Sequence, residues 1–176
     1  ASDIVMTQLT MLDVTSIRYV GESDGNFYTY NFSVEADNRT LFVQVSKMGG
    51  KIVDITGYSN GNTIKYDLNQ CIDMAETLAR SLGYDNVYQV WYAENNNIVY
   101  INLAPIINHV IYYPDLVKVK VDKCAGVIAL EGKNYWYNHV ERDLSNINVT
   151  FDKAQNNLSK ALTVNERNYA LIPNKY

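Results

Sequence analysis

The sequence predicts an α+β fold of tandem repeats, each a helix packed on an antiparallel β-sheet of about four strands. Three observations carry this reading. Residues 41–52 recur 76 positions on as residues 117–128, with Val43/Val119, Val45/Val121, Lys47/Lys123, Gly50/Gly126 and Ile52/Ile128 identical. Both copies alternate apolar and polar residues on either side of a glycine-bearing turn, the pattern of a β-hairpin. Between them Leu68, Cys71, Ile72, Ala75, Leu78, Ala79 and Leu82 recur at three- and four-residue spacing, which makes one apolar helical stripe. Repeats of this kind point to stacked modules that bind something, more readily than to one catalytic pocket.

Taken in order, Ile4, Val5 and Leu9 read as the tail of a helix. Strands are expected at 16–22 and 27–32, joined by the polar turn Ser23-Asp24-Gly25-Asn26, and the first repeat hairpin follows at 41–52. Residues 58–66 read as a linker. Asp67 then caps the striped helix and Gly83 ends it. Strands at 86–94 and 98–103 flank the turn Asn95-Asn96-Asn97. The second of these strands echoes the segment from Phe27 at an offset of 71. The offset then grows to 76, so the second copy carries a five-residue insertion near 106–111.

Tyr113-Pro114-Asp115 reads as a rigid turn into a strand at 116–121, because Pro114 holds Tyr113 out of the α region. Tyr135-Trp136-Tyr137 is taken as a strand segment from which not all three rings can point inward. Residues 143–149 form a second linker. Residues 152–162 read as a short helix with Ala154, Leu158, Ala161 and Leu162 apolar, and 168–172 as a strand. The units expected are 1–57 with a cut helix, 67–142 complete, and 151–176 as the start of a third. The chain is expected to be a piece of a longer protein.

With 176 residues and 47 % apolar content, the chain is globular and able to bury a core. Its net charge of −4 argues against nucleic acid as a partner. No run approaches the ~18 apolar residues of a membrane span. Cys71 and Cys124, 53 positions apart, form neither a disulfide framework nor a metal motif, and both are expected as free thiols. The Asn-x-Ser/Thr sites at Asn31, Asn38, Asn148 and Asn157 follow from 21 asparagines and are read as bare.

The unit of one helix on an antiparallel sheet, with its strand–Lys–Gly–strand hairpin, resembles the PepSY module. The likeness sharpens at Tyr113-Pro114-Asp115-Leu116-Val117-Lys118-Val119-Lys120-Val121, Gly126-Val127-Ile128 and Asn138-His139-Val140-Glu141-Arg142. These segments resemble the C-terminal PepSY-repeat region of the YpeB-like spore-germination proteins. The pattern departs at Cys124-Ala125, where a polar turn is expected. The resemblance implies a non-catalytic role outside the cytoplasm, at the spore inner membrane and cortex. It also implies a partner: a spore cortex-lytic enzyme of the SleB type, bound and stabilised or restrained until germination. The alternatives are a module that binds cortex peptidoglycan through its aromatics, and a generic PepSY-type inhibitor of a protease or hydrolase.

No residue pattern names a catalytic or metal site, and no cofactor is implied. The two histidines, His109 and His139, are too few for a zinc-protease or zinc-finger motif. Glu131 and Glu141 are carboxylates near in sequence without a cleft signature, which leaves a hydrolase as the third and least supported class. The candidate partner-binding residues are Tyr113, Pro114, Asp115, Tyr135, Trp136, Tyr137, Asn138, His139 and Arg142. For His139 and Arg142 the simpler role is hydrogen bonding to the sheet or to a neighbouring unit. For the aromatic run, core packing and partner surface stand open side by side.

Overall fold

The computed structural model describes residues 2–25, 27–37, 39–145 and 149–173; Asn26 of the first turn and the sites at Asn38 and Asn148 lie outside them. Among the described residues ten strands join one sheet. The strands β1 (Val14–Ser23), β2 (Thr29–Ala36), β3 (Arg39–Ser46) and β4 (Ile52–Ser59) form an antiparallel meander. A second meander comprises β5 (Val87–Asn95), β6 (Ile98–Ile107), the short β7 (Val110–Tyr112), β8 (Val117–Asp122) and β9 (Gly126–Glu131). Strand β4 pairs with β9, so the sheet runs β1-β2-β3-β4-β9-β8-β6, with β5 also paired to β6. This seam is short: Asp54↔Glu131, Ile55↔Leu130 and Thr56↔Ala129. Strand β10 (Tyr169–Leu171) lies parallel to β7.

Alternation decides which way each strand faces. Leu41, Val43 and Val45 of β3, Val99, Ile101 and Leu103 of β6, and Val117, Val119 and Val121 of β8 are buried on one face. Over that face lies α2 (Leu68–Ser81), which buries Cys71, Ala75, Leu78 and Ala79. Each large aliphatic side chain buried this way contributes roughly 1.5–3 kcal/mol. Asp67 closes a capping box with Gln70, and Gly83 takes φ +87° just past the helix end, a conformation glycine adopts without a Cβ penalty. At the other end of the core α1 (Ser2–Gln8) buries Val5, and Leu9 and Leu12 follow it inward.

Three expectations change, and the insertion near 106–111 is given its geometry. Residues 135–137 are not strand: α3 (Lys133–Asn138) begins right after β9, where Gly132 N–H bonds the Val53 carbonyl and the chain turns, closing on His139 N–H to Tyr135 O at 2.8 Å. The insertion near 106–111 extends β6 and folds back through Asn108 and His109, both at positive φ, into β7. The helix expected at 152–162 is α4 (Phe151–Asn156) alone; Asn157 caps it, and Leu158 and Leu162 are exposed with no face to bury against. Of the first linker, Tyr58 and Ser59 belong to β4, while the Lys65 and Tyr66 amides both donate to Lys123 O. Both cysteines are free and buried; Cys124 N–H donates to Asp122 Oδ1 at 2.8 Å, which accounts for an apolar residue in that turn.

Candidate partner-binding site

Pro114 sets up the site. Its fixed φ suits the first turn of a 3₁₀ segment at Tyr113–Asp115, which drops the Asp115 side chain to 0 % exposure. A buried carboxylate needs partners, and three donors converge on it. Arg142 Nη1 and Nη2 each reach one carboxylate oxygen at 2.8 Å, a bidentate pair. His139 Nδ1 lies 2.9 Å from Oδ2. The carboxylate only accepts in this pairing, so Nδ1 carries the proton and donates. The bond to Asp115 holds the Arg142 guanidinium above its usual range, against a smaller effect of desolvation.

The same bracket fixes α3. Asn138 Nδ2 donates to Pro114 O at 3.1 Å, and Arg142 Nη2 donates to Asn138 O at 2.5 Å. The His139 ring stacks on Tyr135 with centroids 4.4 Å apart, and the Arg142 guanidinium lies over the Tyr112 ring at 5.0 Å. Tyr135 is buried, its hydroxyl accepts from Asp85 N–H at 3.0 Å, and burial raises its pKa despite that bond. Tyr84 meets Tyr135 edge-on at 5.1 Å and donates to Ile52 O at 2.7 Å. Six of the nine sequence candidates, Pro114, Asp115, Tyr135, Asn138, His139 and Arg142, thus form one cluster. Tyr113 sits half-buried in the turn itself.

Trp136 and Tyr137 face elsewhere. They line a 280 Å³ pocket with Phe27, Tyr28, Ser46, Met48, Lys51 and Val53. Phe27 packs edge-on against Tyr137 at 3.9 Å, and Lys51 Nζ lies 4.9 Å above the Trp136 ring. Met48 is 82 % exposed, Tyr28 56 % and Tyr137 52 %. Sequence reading missed Phe27, Tyr28, Met48 and Lys51 because they lie about 90 to 110 positions from Tyr137. The available signal was Met48, a large apolar residue at the tip of a hairpin turn.

Glu131 is exposed and pairs with Lys118 at 3.6 Å, and Glu141 is exposed on the segment after α3. His109 is exposed in the tight turn. Among the described residues no group of three His, Cys, Asp or Glu is placed to hold a metal ion, and no helix is long and apolar enough to cross a membrane.

Residues 1–145 match the model of the family described as YpeB sporulation, PepSY1 and PepSY2 domains. The chain is 25 % identical over 177 aligned residues to the sporulation protein YpeB of Halalkalibacterium halodurans, covering 99 % of this chain and 39 % of that protein. It is 24 % identical to the YpeB of Oceanobacillus iheyensis, covering 92 % of this chain and 36 % of that protein. It therefore spans under two-fifths of the length of these curated relatives. The fold is similar to that of the Bacillus megaterium YpeB C-terminal domain, with a TM-score of 0.84, 18 % identity, and coverage of 98 % of this chain and 79 % of the other.

Proposed function

Since this chain belongs to the YpeB sporulation family, whose PepSY1 and PepSY2 model it matches over residues 1–145, we propose that it is a non-catalytic interaction module acting outside the cytoplasm of the spore. Its partner is a cortex-lytic enzyme of the SleB type, which it stabilises or restrains until germination. One observation supports this reading above the rest: the exposed rings and thioether of Tyr28, Met48 and Tyr137 rim an apolar pocket between two turns and α3. Aromatic anchors around a preformed pocket are the usual centre of a binding interface. The Asp115 bracket holds the C-terminal end of α3, while Gly132 N–H to Val53 O and Lys133 to Asp54 hold its start, so Trp136 and Tyr137 are presented in fixed positions. Asp115 itself is engaged by a guanidinium and an imidazole, which makes it a structural post.

The test is calorimetric titration of the protein against a purified SleB-type enzyme, with cortex hydrolysis followed in the same mixtures. Binding accompanied by slower lysis is expected. Replacing Tyr28 and Tyr137 together by Ala should weaken binding at least about tenfold while the thermal transition stays put. Unchanged affinity in that variant would remove the pocket from the interface, and absence of both binding and any effect on lysis would overturn the reading.

A further inference from the structure

The face of the sheet away from α2 carries a polar row that crosses the strands at one level. By register it runs Asn31, Gln44, Asp54, Glu131, Lys118, Asn102, Trp91, each side chain beside the next. A parallel row runs Phe42, Thr56, Ala129, Lys120, Tyr100. Small side chains at Thr56 and Ala129 leave a trough between the larger ones. A groove of about 390 Å³ results, lined among others by Asp54, Glu131, Lys118, Lys120, Trp91 and Tyr100, and sharing no residue with the partner pocket. From β5 to β4 the row crosses four strand spacings, about 19 Å at ~4.8 Å each.

The groove is ordered before anything enters it. Lys133 Nζ donates to Gln44 Oε1 at 2.7 Å and pairs with Asp54 at 3.5 Å, while Gln44 Nε2 donates to Asn31 Oδ1 at 3.3 Å. Lys118 pairs with Glu131. Lys120 differs: its ammonium lies over the Tyr100 ring at 5.5 Å, with no carboxylate among its described contacts. Three lysines against two carboxylates give the groove a positive balance on a chain whose net charge is −4. At the β5 end Trp91 is 52 % exposed.

We propose that this groove binds an acidic glycan, an extended chain of hexose or hexosamine rings bearing carboxylates. The Trp91 indole offers a flat apolar surface to the face of one ring. Asn102, Asp54, Glu131 and Thr56 offer acceptors and donors to hydroxyl and acetamido groups, and Lys120 takes the carboxylate. A few convergent polar groups beside an aromatic wall is the usual make-up of such a site. A peptide strand would add along a sheet edge, whereas this trough crosses the strands on the open face of the sheet and sets charged and amide side chains beside Trp91 and Tyr100.

The test uses Trp fluorescence and calorimetry with three probes: a hexasaccharide of alternating N-acetylglucosamine and N-acetylmuramic acid, its carboxyl-reduced form, and a poly-glutamate peptide. Binding of the acidic hexasaccharide is expected. It should weaken about tenfold in Trp91→Ala, in Lys120→Ala and with the carboxyl-reduced probe, as loss of one charge-assisted contact implies. Tyr28→Ala/Tyr137→Ala should bind the sugar as the native protein does, so failure here and failure of the partner reading are separate results. Both groove positions are exposed, and unchanged thermal melts would establish that the variants fold. No binding by the native protein, undiminished binding by both groove variants, equal binding of the carboxyl-reduced probe, or tighter binding of poly-glutamate would each overturn the proposal.

Discussion

Asp115 and Arg142 are unequal partners. The carboxylate is fully buried, while the guanidinium keeps partial contact with water. Removing the arginine leaves the buried charge with only the His139 donor of its three; removing the acid leaves a cation that can turn outward. Arg142→Ala should therefore cost about 4 kcal/mol and Asp115→Asn about 2 kcal/mol, measured by urea unfolding. Equal costs would mean that Asp115 gains water once its partner is gone. None of this pairing was legible in the sequence. The two residues lie 27 positions apart, and Asp115 in a Tyr-Pro-Asp turn looks like a solvated turn acid. What betrayed the region was its clustering of Tyr, Pro, His and Arg, which located the residues but gave the wrong local structure for Tyr135-Trp136-Tyr137. Those types favour strands, and one and a half helical turns are too short for a period to show.

Among the elements, α2 was the most readable, because fourteen residues display four turns of one stripe and a capping box marks the start. The strands were readable from alternation for the same reason. Helix α4 failed that standard, since apolar spacing without a facing surface does not make a helix persist. The stripe of α2 also has a pH consequence. Burial pushes the Cys71 thiol from 9.0 up to about 11. The unfolded chain ionises near 9 while the native helix holds its proton, so this contribution is intact below pH 9 and is lost as pH rises towards 11. The loss amounts to roughly 2–3 kcal/mol. Burial also raises the Cys124 and Tyr84 groups, which add slope in the alkaline range. Thermal melts of the native protein and Cys71→Ala across pH 8 to 11 isolate the share of Cys71: the variant should show the shallower decline. Identical slopes would refute the assignment.

On the scale of the whole molecule, one buried arginine ties the parts together. Arg39 donates to Ala36 O at 3.3 Å in its own meander, to Val127 O at 3.1 Å in the other, and to Leu12 O at 2.7 Å in the amino-terminal segment. Burial lowers its pKa, yet as a guanidinium it stays charged. Arg39→Met should lower stability by about 3 kcal/mol, because three buried carbonyls lose their donor together. Urea unfolding followed by fluorescence and by circular dichroism should give coincident transitions for the native protein, as one continuous core requires. A variant as stable as the native protein would show that water replaces the arginine. Sequence reading passed over Arg39 because an arginine opening a strand looks exposed, and the three carbonyls it serves are set by tertiary folding alone.

The short seam between β4 and β9 gives the molecule a mechanical weak axis. Eight paired residues bear a load across β2 and β3, and three bear it at the seam. Shear between the halves concentrates on those rungs. The side chains that cross there, Arg39 to Val127, Lys133 to Asp54 and Ser59 to Asp122, act as braces around a hinge line. A rigid body laid over the trough would splint that line.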